Sequence, residues 1–524
     1  MFKKLFLLSV LSLLFSTLIP AQKVILEGVE KAWLRGSGPI TQNNEVAGYY
    51  FFYALKKKKG KRPYILEFYD KDLNKTATRE IEGRRSLYLE QGAYDGENIM
   101  LQFYDRGLDE YTYAVYNQEV ELLNTVNRPV FGYGNIENMA VEVSETPNTL
   151  FATPRSGFLT YTRESGRKIG YKIEYFNTDG SEGWEYVSDS KSKYNQLTGL
   201  LTLNDRVVVN LVGKSTRPNG RKMRYSLLGL DARTGEQRFE VAIQNEQYTV
   251  TLINGEIDEE SGEMLLFGEY YPLNANQLKV PSLGMFTARI DARGQMSREK
   301  YISWAGDVSK FLPVNKRGQQ VGKGFTWFHK VIQTEDGRVF AIGEQFRNVV
   351  DGAAVAGEVF VGVVAALLGG GYYGTGGNLM KMVVDDLVIY EFSPEFELID
   401  VKVIEKDKVS LKLPGGDRYT TRVLGRQIEA YGLFGYAFTK VGENGKDFSV
   451  GYTDYAFEES RTGKTFFNTL SYQDSEYVEN KVEISSAREV TASRVYPAKE
   501  GYIMIAEYFK KDKKIVNRLE KIGE

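Results

Sequence analysis

The stretch Met264-Leu-Leu-Phe-Gly-Glu-Tyr270, followed after a polar loop by Met285-Phe-Thr-Ala-Arg-Ile-Asp-Ala-Arg-Gly-Gln-Met-Ser-Arg-Glu-Lys-Tyr-Ile302, decides the fold. Short apolar runs bounded by turn residues read as strands. The stretch gives three of them, joined by tight turns, and weaker copies recur along the chain.

Working outward, the recurring signal is a turn with Gly, Asn or Asp that leads straight into an apolar run. It stands at Asn44 before Val46-Ala-Gly-Tyr-Tyr-Phe-Phe-Tyr53, at Gly96 before Ile99-Met-Leu-Gln-Phe-Tyr104, and at Gly157 before Phe158-Leu-Thr-Tyr161. It returns at Asp205 before Val207, at Gly262 before Met264, at Gly337 before Val339, at Gly432 before Leu433-Phe-Gly-Tyr-Ala-Phe438, and at Gly501 before Tyr502. The spacing of about 50 to 95 residues lies within or above that of propeller blades. A second hairpin follows in many units, turning at Tyr69-Asp-Lys-Asp-Leu-Asn74, Phe176-Asn-Thr-Asp-Gly180, Leu230-Asp-Ala-Arg-Thr-Gly235, Ile290-Asp-Ala-Arg-Gly294 and Phe392-Ser-Pro-Glu395. Four strands per unit in tandem predict an all-β chain folded as a β-propeller of seven or eight four-stranded blades; a series of β-sandwiches or a two-domain all-β protein is the competing architecture. The last unit, Tyr502 to Ile505 and Ile515 to Ile522, is short of an outer strand, which Lys23-Val-Ile-Leu-Glu27 is placed to supply.

Residues 1–21 read as a targeting segment: Lys3 and Lys4, an apolar run from Leu5 to Ile19, and Pro20-Ala21 before a cleavage site at Gln22. Residues 22–524 are then a single propeller domain, exported to the periplasm or beyond, with no transmembrane span in the mature chain. The sequence has no cysteine, which excludes disulfides, thiolate chemistry and a lipid-bearing cysteine. One histidine, His329, excludes histidine triads and multi-histidine zinc sites. With 67 basic and 69 acidic residues the chain is nearly neutral, so charge does not point to nucleic acid. Its 35 tyrosines suit half-buried β-surfaces that keep a hydroxyl wet.

The segment Leu230-Asp-Ala-Arg-Thr-Gly-Glu236 resembles the strand-turn-strand of quinone-type propeller repeats, with Phe239 where a tryptophan is expected; the likeness is read as shared turn physics. Over its length the chain also resembles an uncharacterised family of exported proteins of Gram-negative bacteria: a leader ending Ala-Gln, no cysteine, and tyrosine-rich tandem β-units. That resemblance implies no known activity.

In a propeller the loops from second to third strand share one face with the loops between blades. The second-to-third loops here are basic: Lys56-Lys-Lys-Lys-Gly-Lys-Arg62, Arg163-Glu-Ser-Gly-Arg-Lys168, Lys214 to Arg224, and Lys510-Lys-Asp-Lys-Lys514. The first and last become neighbours if the ring closes. Turns assigned to the opposite face are acidic, as at Asp95-Gly-Glu97, Asp179-Gly-Ser-Glu182 and Asp258 to Glu263. A focused basic surface attracts anionic polymers or headgroups. The binding candidates are therefore Lys56, Lys57, Lys58, Lys59, Lys61, Arg62, Lys510, Lys511, Lys513 and Lys514.

An apolar, Gly-rich insertion spans 349–381 in a late blade, with no charge between Val359 and Met380. A loop this long and apolar must be buried against the propeller, a partner or lipid, and Phe360, Leu367, Leu368, Tyr372 and Tyr373 join the candidates.

Other apparent motifs carry no chemistry. Gly369 to Gly374 matches a dinucleotide fingerprint only because the tract is glycine-rich, and no βαβ pattern surrounds it. Asp70, Asp72 and Asn74 begin like a calcium loop, but Lys75 and Ile81 replace its glycine and glutamate. His329 is expected to share a packed strand face with Trp327 and Val331, without a metal role. Asp385-Asp386 is read as opening a strand, with one carboxylate turned inward. No cofactor or metal is implied.

The function expected is that of an exported, non-catalytic binding or scaffolding protein of the cell envelope. Its expected partners are an anionic glycan, the envelope surface or an envelope protein. The alternative is a glycan hydrolase or lyase using carboxylates and tyrosines at the channel.

Overall fold

The computed structural model describes residues 22–522 except 33–36, 43–44, 59–60, 84–85, 131–148, 155, 165–168, 190, 217–222, 244–245, 259–260, 276–279, 350–357, 361–378, 415–420, 431–432, 443, 458–462, 486–489 and 491. Met264–Pro272 shows why its apolar run is continuous. Met264, Leu266 and Tyr270 pack with Val209, Leu211 and Val250, while Leu265 and Phe267 pack with Phe328, Val331 and Val388 on the other side. A strand buried on both faces has no polar side to alternate with.

Repeating that pattern gives eight antiparallel sheets. Blade 1 joins Glu45–Ala54, Arg62–Asp70 and Lys75–Gly83, with Lys31–Ala32 and Gly38–Gln42 as its inner edge. Blade 2 runs Leu87–Tyr94, Ile99–Asp105, Glu110–Tyr116, Leu122–Pro129, and blade 3 runs Leu150–Ala152, Phe158–Glu164, Gly170–Phe176, Glu182–Val187. Blade 4 is Gln196–Leu203, Val207–Ser215, Met223–Asp231, Gln237–Ala242, and blade 5 is Tyr248–Ile257, Met264–Pro272, Gly284–Ile290, Met296–Ser303. Blade 6 is Phe325–Gln333, Val339–Val349, Leu379–Phe392, Leu398–Ile404, and blade 7 is Tyr436–Val441, Phe448–Phe457, Gly463–Gln473, Glu476–Ser485. Blade 8 is Ala492–Pro497, Tyr502–Phe509 and Lys514–Lys521. Its fourth strand is Lys23–Leu26, paired from Lys23 opposite Arg518 to Leu26 opposite Ile515. The chain is an eight-bladed propeller closed by the strand Lys23–Leu26.

Each of the eight blade interfaces has its own buried apolar cluster. Full burial of one such side chain, for example Phe267, stabilises the ring by about 1.5–3 kcal/mol. The blades are also docked through their turns. Trp184, on the fourth strand of blade 3, lies against Gly235 in the turn of blade 4 and donates from Nε1 to Ala232 O at 3.2 Å. Phe239 lies in the same way against Gly294 of blade 5. Both glycines have positive φ, 71° and 85°; a β-carbon on Gly235 would strike the Trp184 ring, and one on Gly294 would strike the Val241 methyl beside Phe239. Phe239 of blade 4 thus docks on the turn of the next blade.

Two expectations need correction. Leu433 to Phe438 is not a second strand: Tyr436–Val441 is the innermost strand of blade 7, and the turn lies at Gly442 to Asp447, where Asn444 Oδ1 accepts from Lys446 N and Asp447 N at 3.0 Å each. The tyrosines do not keep to the half-buried surface. Tyr49, Tyr64, Tyr113, Tyr271, Tyr390 and Tyr452 are among the largest fully buried side chains. Most of these hydroxyls find partners inside, as Tyr452 does in Glu479 Oε1 at 2.5 Å, which removes the cost of drying them. The all-β expectation holds; set against the blades is the helix Thr421–Ala430, whose Leu424 and Ile428 pack with Trp327 and Phe346 of blade 6.

Candidate functional site

Ring closure brings the two lysine-rich hairpins together. Val29 N donates to Lys513 O at 2.7 Å and Glu30 N to Ala54 O at 2.8 Å, so the segment after the closing strand bridges blades 8 and 1. The Glu30 carboxylate sits between the loops and bonds Lys513 Nζ at 2.6 Å. That bond, with the fields of Lys56 and Arg62, holds Glu30 below the usual carboxylate range despite some desolvation. Lys61 pairs with Glu82 at 2.6 Å, and Lys514 pairs with Asp512 at 2.9 Å beside the Phe509 ring. Arg62 is half-buried, with an Nε that has no hydrogen-bond partner among the described residues. Lys56, Lys57, Lys58, Lys510 and Lys511 are exposed. Lys59 lies outside the described residues, as do Leu367, Leu368, Tyr372 and Tyr373. Phe360 belongs to Glu358–Phe360, which pairs in parallel with Lys408–Pro414.

The two faces differ for different reasons. Acidic turns dominate the far face because aspartate closes hairpins: Asp95 Oδ1 accepts from Glu97 N and Asn98 N, Asp231 Oδ1 from Arg233 N and Thr234 N, and Asp291 Oδ1 from Arg293 N and Gln295 N. The acidity is a by-product of turn chemistry. No comparable backbone role accounts for Lys56 to Lys58, and Lys191, Lys193, Lys310, Lys316 and Arg317 lie on connections that reach the same side.

Blade 6 departs most from the repeat. Its third strand runs 14 residues, so the first half pairs with Lys408–Pro414 and the second with Leu398–Ile404. The fourth strand breaks between them, at Glu405 to Asp407, and Lys406 turns inward. Its Nζ bonds the fully buried Glu344, which also accepts from Gly435 N at 3.0 Å and Tyr436 N at 2.8 Å. His329 Nε2 lies 3.1 Å from Glu344 Oε2, and its ring stacks on Tyr436 at 4.6 Å. Burial pushes the Glu344 carboxyl upward, but Lys406 and His329 outweigh it and hold it down to about 2. Asp385 and Asp386 do not open the strand. Both lie buried in its middle, with Lys323 Nζ 2.7 Å from Asp386 and Arg347 Nε 3.0 Å from Asp385. His329 occupies a bulge, between Phe328 opposite Gly343 and Lys330 opposite Ile342, so it faces Phe434 as Trp327 does while Val331 goes with Phe328 to blade 5.

This network is a filled core rather than an open cleft: Glu344, Asp385 and Asp386 are at most 2% exposed. A sequence signal for it existed. Gly268-Glu269, Gly343-Glu344 and Ala506-Glu507 occupy the same place in the second strands of blades 5, 6 and 8, a small residue and a carboxylate in an otherwise apolar run. Among the described residues no group of three or more potential ligands could hold a metal ion, and no helix is long and apolar enough to cross a membrane.

The chain belongs to a family of unknown function, DUF6770, which it matches over residues 1–523. No curated protein matches it. Among solved structures it is similar to prolyl oligopeptidase B from Galerina marginata, at 11% identity and TM-score 0.40, covering 94% of this chain and 55% of that one. It thus spans little more than half of that protein. It is also similar to the quinohemoprotein alcohol dehydrogenase ADHIIG of Pseudomonas putida HK5, at 8% identity and TM-score 0.43, covering 96% and 76%. A third is the subtype N10 neuraminidase-like protein of A/little yellow-shouldered bat/Guatemala/060/2010, at 9% identity and TM-score 0.30, covering 75% and 94%. Likenesses this remote carry no activity across.

Proposed function

We propose that this is an exported, non-catalytic binding or scaffolding protein of the cell envelope that holds an anionic polymer or headgroup surface against the lysines at its closure seam. The observation that carries the reading is the convergence around Glu30 of two hairpins from opposite ends of the sequence, leaving Lys56, Lys57, Lys58 and Lys511 exposed on one face. Clustered cations of this kind raise the local concentration of anionic partners in a salt-sensitive way. The competing reading, glycan cleavage at the channel, needs paired carboxylates. The described inner strands carry only Glu90 and Glu256, and the Glu256 carboxylate accepts the backbone N–H of Gln333 at 3.0 Å.

The test is co-sedimentation of the purified protein with envelope fractions at low and high salt, beside a variant with Lys56, Lys57, Lys58 and Lys511 all changed to Glu. Binding is expected to fall on the order of tenfold both in high salt and in the variant. A wild-type protein that stays in the supernatant at low salt overturns the proposal.

A further inference from the structure

The face opposite the lysines carries an open trough of about 670 Å³ between blades 5 and 6, lined by Asp258, Ser261, Glu263, Arg289, Arg298 and Gln333. Arg289 is its unusual member. It is 7% exposed, its guanidinium lies 5.5 Å from the Phe396 ring centroid, and its Nη1 is 3.6 Å from Glu263 Oε2, too far for a hydrogen bond. Its buried Nε has no hydrogen-bond partner among the described residues. Guanidinium cannot shed its charge, and with Glu263 beyond hydrogen-bond reach the charge of Arg289 at the trough wall favours an anionic group there.

The hairpin beside it brings a second guanidinium. Between Thr287 and Arg289 the pairing slips, and on the opposing strand Arg298 takes φ 50°, a left-handed conformation uncommon for a residue with a β-carbon. Arg298 thereby lines the same trough, exposed where Arg289 is buried. The remaining wall has the opposite sign. Asp258 Oδ1 is fixed by Ser261 N and Ser261 Oγ, both at 2.7 Å, and Glu263 stands at the end of that turn.

We infer that the trough binds a small zwitterion, a free amino acid or short peptide, with its carboxylate on Arg289 and Arg298 and its ammonium against Asp258 and Glu263. The site is independent of the lysine face and does not rest on the function proposed for it.

Isothermal titration of the full chain with glycylglycine tests the inference, with N-acetylglycine as the probe lacking an ammonium and methylamine as the probe lacking a carboxylate. Glycylglycine is expected to give saturable heat, and each half-probe to bind at least about tenfold more weakly. Arg289→Gln should abolish binding. Because a buried change can also unfold the chain, Arg298→Ala is the decisive variant: it should keep the wild-type melting temperature and lose about tenfold in affinity. The inference is overturned if glycylglycine gives no saturable heat up to about 10 mM, if Arg298→Ala titrates like wild type, or if N-acetylglycine binds as tightly as glycylglycine.

Discussion

Blades 5 and 6 place a glycine and a glutamate at the same point of their second strands and answer the carboxylate differently. In blade 5, Glu269 accepts from Tyr271 OH at 2.8 Å and Ser282 Oγ at 2.7 Å. In blade 6, Glu344 meets the ammonium of Lys406, the ring of His329 and two backbone amides. The repeat thus dictates where a carboxylate is placed, half-buried in blade 5 and fully buried in blade 6, and each blade's own additions dictate what compensates it. Blade 6 brought in an ammonium because its third strand outgrew the ring, and the broken fourth strand left Lys406 nowhere to go but inward.

The sharpest way to break this comparison is to neutralise both acids. Glu344→Gln strands Lys406, whose side chain is 2% exposed, and should cost about 3–5 kcal/mol in chemical denaturation. Glu269→Gln should cost less, about 1–2 kcal/mol, because Glu269 is half-buried and the Tyr271 and Ser282 hydroxyls among its partners can reorient towards an amide. Equal losses would mean that the two positions are not answered differently.

A pH titration sharpens it further. The folded pKa of Glu344, about 2, lies below the ordinary value of 4.5, so its stabilisation is complete above 4.5 and is lost as the pH falls towards 2. The wild-type melting temperature should therefore fall across that window more steeply than that of Glu344→Gln, as read by circular dichroism. Gly343→Ala comes next: a β-carbon there would meet the Trp327 carbonyl oxygen and should cost about 1–3 kcal/mol, and Gly268→Ala, meeting the Thr251 carbonyl oxygen, about the same. The smallest effect belongs to the rim. Lys499→Ala removes the 2.5 Å pair with Asp72 across the closure seam and should change stability by no more than about 1 kcal/mol.

What could be read in the sequence was what is encoded locally. Asp231-Ala-Arg-Thr-Gly235 specifies its own hairpin through an aspartate that binds two backbone amides and a glycine at φ 71°, so the turns and the strands they launch were legible. The closing strand was legible too, because the last unit lacked one. His329 shares its face with Trp327 as expected, but Val331 does not, because the bulge at His329 shifts the two-residue period by one and nothing adjacent in sequence marks it. Lys406 and Glu344 are 62 residues apart, and their meeting depends on a strand break that no short-range pattern announces. The lysine hairpins fell between these cases: each could be seen, and the ring then set them side by side.

The closing strand also makes the ring mechanically uneven. Lys23 faces Arg518 and Leu26 faces Ile515 in an antiparallel pair, so the chain leaves both strands at the same end of the sheet. Tension applied through those two exits loads the rungs one after another, as a zipper is opened, instead of shearing them together. The weakest direction of pull therefore runs through the seam that also gathers the lysines, and a force spread across the blades would meet eight buried interfaces instead of one short ladder.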